Sequence, residues 1–179
     1  MQEATGSDLK FIIEYVKQRR GMSGVRMMMN ELNKPSILFT GLGDIGRTQI
    51  FSEDIYKKVI ESAAATLGGD IKTRLNQLGY ALGDRAKMTK FIAKFSTSKQ
   101  LIRLLEDGII EDIPFVKSSV NEVSKHISIL RVTARKNGER FLDVADGYIT
   151  AVLDQSSRSL TVSEKKMSST DLSYKFVVG

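Results

Sequence analysis

The spacing of apolar residues along this chain changes after Pro114. Before it, apolar residues recur three and four positions apart; towards the C-terminus, Leu172, Tyr174, Phe176 and Val178 alternate strictly. A recurrence near 3.6 turns one face of a helix to a core, and a recurrence of 2 turns one face of a sheet to it. The first part of the chain therefore reads as helices and the last part as a sheet.

Ser7-Asp8 is placed to cap a helix carrying Leu9, Ile12, Ile13 and Val16, which Arg19-Arg20-Gly21 ends. A second short helix presents Val25, Met28, Met29 and Leu32 and stops before Pro35. Ser52-Glu53-Asp54 opens a third, with Ile55, Val59, Ile60, Ala63 and Leu67 leading to Gly68-Gly69. A fourth carries Ile71, Leu75, Leu78 and Leu82, with Gly79 and Gly83 one turn apart. The next stripes are Met88, Phe91, Ile92 and Phe95, then Leu101, Leu104 and Leu105.

After Pro114, residues 126–135 (HISILRVTAR) are rich in β-branched types and run into the turn signal Asn137-Gly138. Phe141, Val144, Ala145, Tyr148 and Val152 return to helical spacing. SLTVSE and LSYKFVV then read as two strands around the polar turn SSTD. Helices followed by a sheet with one inserted helix make an α+β domain: N-terminal helices packed on a C-terminal antiparallel sheet. Residues 1–50 form a helical segment and glycine loop belonging to the same domain as 51–179.

Gly41, Gly43 and Gly46 match the G-x-G-x-x-G spacing of dinucleotide sites. The context differs: RTQIF follows where a helix should begin, the acid at about the right distance is Glu61 inside a helix, and no second βαβ half exists. A tightly turning loop is the better reading.

Several chemistries are excluded by residue type. The chain has no Cys and one His, His126, which removes thiolate sites and disfavours a Ser-His triad or a histidine metal site. His126 reads as a surface or strand-edge residue. The acid pairs Glu61/Asp70 and Asp143/Asp146 have nothing to bring them together in an apolar setting. Asp143 and Asp146 flank one helix turn and are expected to face water, and Glu111-Asp112 reads as a helix end. The methionines, including Met27 to Met29, read as core fillers or as an adaptable apolar surface. No catalytic residues, metal ligands or cofactor are assigned, and a non-enzymatic protein is expected.

Lys and Arg number 27 against 21 acids, giving a net charge of +6, but no run of five or six like charges occurs. The densest group, Arg85, Lys87, Lys90 and Lys94, reads as a solvated helix face. The 9–34 helix pair with Arg19, Arg20 and Arg26 could instead serve a DNA-reading regulator; the spread of charge argues against nucleic acid as the main partner. No apolar run reaches the ~18 residues of a membrane span, and MQEATGSDLK carries no signal features, so a cytoplasmic protein is expected.

Two stretches resemble known families. LNQLGYALGDRAKMTKFI, residues 75–92, resembles the L-x-x-M/L-G-Y-x-I/L-G-x-R helix of the small subunits of the eukaryotic transport protein particle. GYITAVLDQSSRSLTVSEKKMSSTDLSYKFVV, residues 147–178, resembles the C-terminal half of the 4-vinyl reductase domain. Glu164 and Met167 stand at the first two places of its E-x-x-C-x-x-x-G-x-x-x-C-x-F hairpin and Tyr174 and Phe176 one residue short of the last two, with Met and Tyr taking the places of the cysteines. This superfamily shares a ligand-binding fold with the haem nitric-oxide-binding domains, whose N-terminal layout is similar to the one here. The resemblance implies a haem histidine on the helix equivalent to residues 98–112, where this chain has none. The haem-propionate motif Y-x-S-x-R is matched only in part, by Arg131, Thr133 and Arg135.

The resemblance thus implies a haem-free, lipophilic-ligand-binding or sensory module acting as a homodimer. Leu78, Tyr80, Leu82, Phe91 and Phe95 are its expected pocket residues, and Leu75, Gly79 and Gly83 its expected dimer contact. For the glycines, letting their helix sit against the chain's own sheet is the alternative. A scaffold protein with a filled core, binding other subunits, is the rival function.

Overall fold

The computed structural model describes residues 4–34, 39, 42–85, 97–156 and 160–178. Phe91 and Phe95, with Gly41, Lys87, Met88, Lys90, Ile92 and Lys94, lie outside them. The chain divides into two compact units, Met1–Leu78 and Gly79–Gly179.

In the first unit, strand β1 (Ala4–Thr5) runs into helix α1 (Gly6–Leu32). The cap is Thr5 rather than Ser7: Asp8, three residues on, accepts from the Thr5 backbone N–H at 2.9 Å. The two expected N-terminal helices meet at Gly21, which breaks the helical conformation inside the Gly6–Leu32 span with φ 66° and ψ -167°, a conformation side chains resist. Leu9, Ile12, Ile13, Val16, Val25, Met28 and Leu32 are buried as their spacing predicts. Helix α2 (Glu53–Leu67) starts on Ser52, whose hydroxyl accepts from the Ile55 N–H, and packs on α1. Its C-terminus takes Arg20, whose Nη2 donates to the Leu67 carbonyl at 2.8 Å. Arg20 is therefore engaged within the fold rather than offered to DNA.

The glycine loop closes back on α1. Strand β2 (Ile50–Phe51) pairs antiparallel with β1. The first amides of α1, Gly6 and Ser7, donate to the carbonyls of Gln49 and Arg47 at 2.8 and 3.0 Å. A Cβ on Gly6 would lie 1.8 Å from the Gly46 carbonyl oxygen. The N-terminus of α1 is thus filled by the chain's own carbonyls, and the helix that follows the glycines, α2, starts on Ser52.

Helix α3 (Ile71–Arg85) spans the division between the units. Asp70 caps it, accepting from the Thr73 N–H at 2.9 Å and its hydroxyl at 2.7 Å, and these bonds hold the carboxyl below its ordinary range.

The second unit holds helix α4 (Ser98–Asp112), strands β3 (Val116–Ser124) and β4 (Ile127–Ala134), helix α5 (Phe141–Gln155) and strands β5 (Leu160–Met167) and β6 (Asp171–Val178). The four strands form one antiparallel sheet in the order β3-β4-β6-β5. Leu130, Val132, Leu172, Tyr174 and Phe176 are buried on one face, on the side of α5. Strand β3 was not foreseen from sequence. Its residues VKSSVNEVS are mostly polar, and α4 packs along it: the Val120 N–H donates to Glu106 Oε1 at 3.1 Å and Ser118 Oγ to the Glu106 carbonyl at 2.7 Å. These bonds protect a sheet edge that would otherwise stay open. A capping box of Thr97 and Gln100 starts α4.

Candidate functional site

The features that set this unit apart lie along α5. Its first side receives α3. A Cβ on Gly79 would lie 1.9 Å from the Val144 carbonyl oxygen, and one on Gly83 would lie 2.8 Å from that of Tyr148 and 3.0 Å from Ala151 Cβ. Two glycines a turn apart thus let two helix backbones meet. Outside the notch, Tyr80 donates to Asp154 Oδ2 at 3.1 Å, and Gln155 Nε2 to Asp84 Oδ1 at 3.1 Å. The bond to Asp154 raises the Tyr80 hydroxyl above its ordinary value.

Its second side faces α4. The Tyr148 ring, 1% exposed, ends against Gly108, where a Cβ would stand 2.5 Å from the hydroxyl oxygen. That hydroxyl donates to Asp112 Oδ2 at 2.9 Å. The side chains that α4 buries are Leu101, Ile102, Leu105 and Ile109, all aliphatic.

The third feature ties α5 to the C-terminal hairpin. Asp146 was expected to face water and is instead buried, at 9% exposure. Tyr174 donates its hydroxyl to Asp146 Oδ1, and Lys165 Nζ reaches the same oxygen at 2.5 Å. Lys165 also lies 5.5 Å from the centre of the Tyr174 ring, which stacks on Phe176 at 5.9 Å. Burial first, then the bond to the Asp146 carboxylate, push the Tyr174 hydroxyl far above its ordinary range. The sequence placed Tyr174 in the core, but nothing in the spacing of Asp146 and Lys165 revealed their meeting.

Of the expected pocket residues, Leu78 and Leu82 are buried, at 1% and 6% exposure, while Tyr80 is 40% exposed. Leu75 is buried at 1%. Gly79 and Gly83 pack against helix α5 of the same chain, where the two expectations were another copy or the chain's own sheet. Asp112, expected as a bare helix end, holds the Tyr148 hydroxyl. His126 is exposed in the β3–β4 turn.

A haem held by histidine on α4 does not fit these residues. The aliphatic buried face of α4 offers no donor atom, and Gly108 is met by Tyr148. Arg131 is exposed on the sheet, and Thr133 donates to Asp171 Oδ1 at 3.1 Å. Among the described residues no three His, Cys, Asp or Glu side chains converge as metal ligands. Nor is any described helix long and apolar enough to cross a membrane.

No protein-family profile matches the chain, and no curated protein does. Solved structures do. An oxygen-binding H-NOX domain related to soluble guanylate cyclases superposes with a TM-score of 0.63 at 9% identity, covering 98% of this chain and 95% of that one. A mutant H-NOX from T. tengcongensis gives 0.63 at 10% identity, covering 98% and 97%. A mutant H-NOX protein from S. oneidensis, in its Fe(II) ligation state, gives 0.63 at 14% identity, covering 98% and 96%. The chain has the α+β fold of H-NOX domains. At these identities the likeness is one of fold, and the haem-nitric-oxide-binding fold expected from sequence is the one observed.

Proposed function

We propose that this chain is a non-enzymatic sensory module that binds a small lipophilic molecule on an H-NOX fold, without histidine-ligated haem. The observation that carries the reading is the buried face of α4: Leu101, Ile102, Leu105 and Ile109 stand on the helix where the resemblance puts the haem ligand. A buried aliphatic face without donor atoms suits hydrocarbon rather than iron. Leu82 on α3 and the four α4 residues are the side chains assigned to the ligand.

Titration separates the ligands. A fluorescent fatty acyl probe should saturate at about one per chain, whereas added haemin should give no absorption band of histidine-ligated haem. Ligated haem at one per chain, or failure of every acyl and hydrocarbon probe to bind, overturns the proposal.

A scaffold role is favoured by one observation: the Tyr148 ring fills the space against Gly108. A protein that takes up no probe but retains a subunit partner would support it. A homodimer, if formed, would use a face other than Gly79 and Gly83, which α5 occupies.

A further inference from the structure

Strand β5 is the outermost strand beyond β6, and it is the least buried of the four. From Thr161 to Met167 every residue is exposed, on both faces, and only Leu160 is half-buried. Burial therefore contributes little to holding β5 in place. Its ladder with β6 is interrupted by a bulge at Ser163, between the pairs Val162↔Phe176 and Glu164↔Lys175. The bulge sets Val162 and Lys165, three residues apart, on the same face of the sheet, because Lys165 pairs with Tyr174 and Tyr174 shares its face with Phe176. That is the face towards α5. Lys165 reaches Asp146 there, and the same carboxylate holds Tyr174.

The other polar side-chain contacts described from β5 do not reach the helix. Lys166 pairs with Glu164 in its own strand at 2.8 Å, and Ser163 Oγ donates to the Lys175 carbonyl at 3.1 Å. A strand held, among the described contacts, by one interrupted ladder and one side-chain tie to the helix belongs at the low-stability end of a fold, where local opening precedes global unfolding.

We propose that β5 is a releasable edge strand and that the Lys165–Asp146 pair is its latch to α5. Tyr174 stays with the core when the latch opens, because its hydroxyl remains on Asp146 and its ring remains stacked on Phe176. Release of β5 then leaves the β3-β4-β6 part of the sheet intact and uncovers one edge of β6. The inference does not depend on which ligand, if any, the module binds.

Amide hydrogen exchange on the whole chain tests it, comparing wild type with Lys165→Met, Lys165→Arg and Lys166→Met. Lys165→Met keeps the apolar stem and removes the charge. It should speed exchange in β5, and in the β6 amides bonded to it, by about tenfold, between the effects of exposed and buried pairs. Exchange in α5 and β4 should stay unchanged. Lys165→Arg keeps the charge and should exchange as wild type, as should Lys166→Met, whose lysine lies on the opposite face. The proposal is overturned if Lys165→Met leaves β5 exchange unchanged, if Lys166→Met speeds it equally, or if α5 and β4 accelerate by the same factor as β5.

Discussion

Gly79 on α3 and Val144 on α5 meet backbone to backbone: a Cβ at Gly79 would stand 1.9 Å from the Val144 carbonyl oxygen. In an exposed helix, Gly→Ala is stabilising by up to ~1 kcal/mol. Here the sign reverses, because the added carbon meets a carbonyl that cannot rotate away. Gly79→Ala should cost about 3 kcal/mol, and Gly83→Leu at least as much. The loss should be the same at every protein concentration, since the contact lies within one chain. Thermal melts over a dilution series check this; a loss that appears only on dilution would assign the glycines to an interface between copies.

Tyr148 and Gly108 form a second matched pair. Tyr148→Phe removes the hydroxyl bonded to Asp112 and should cost about 1–2 kcal/mol. Tyr148→Ala should cost about 4 kcal/mol through the cavity it leaves. Gly108→Ala crowds the hydroxyl and should be better tolerated on the Tyr148→Phe background than on wild type. Urea unfolding of the two single variants and the double measures the coupling, and strict additivity would contradict the contact.

Tyr174 predicts a pH dependence. Its ordinary value is 10.0, and burial followed by the Asp146 bond raises it in the folded chain. The unfolded chain can then release this proton above about pH 10 while the folded chain retains it. The stabilisation is complete below that pH and falls as pH rises through the folded value, by up to ~1.4 kcal/mol per unit. Tyr174→Phe should remove this part of the fall. Urea midpoints at pH 9 and pH 11 provide the comparison; equal losses in wild type and variant would refute it.

Much of the fold was legible because burial follows period. Leu9, Ile12, Ile13 and Val16 on α1, and Leu172, Tyr174 and Phe176 on β6, are buried as spacing alone predicts. Strand β3 was not, because an edge strand packed along a helix can be polar in sequence, its Val120 amide answered by Glu106. Arg-Arg-Gly reads as a helix stop, and the helical conformation does break at Gly21. Arg20 also answers the last carbonyl of α2, which no local pattern shows.

The polar contacts of the site were the least legible part. Asp146 looks solvent-facing beside Asp143, and its burial depends on Lys165 and Tyr174, which come from a hairpin later in the chain. No local pattern encodes a meeting of that kind. The glycines of α3 were visible as a close-approach signal, but only the position of α5 decides what approaches.

Native mass spectrometry of the purified protein, before and after organic extraction, tests the central claim most directly. The account predicts one small apolar molecule per chain that extraction removes and a fatty acyl or hydrocarbon probe replaces, with no haem mass present. A chain that is ligand-free before extraction and takes up no such probe afterwards would contradict it.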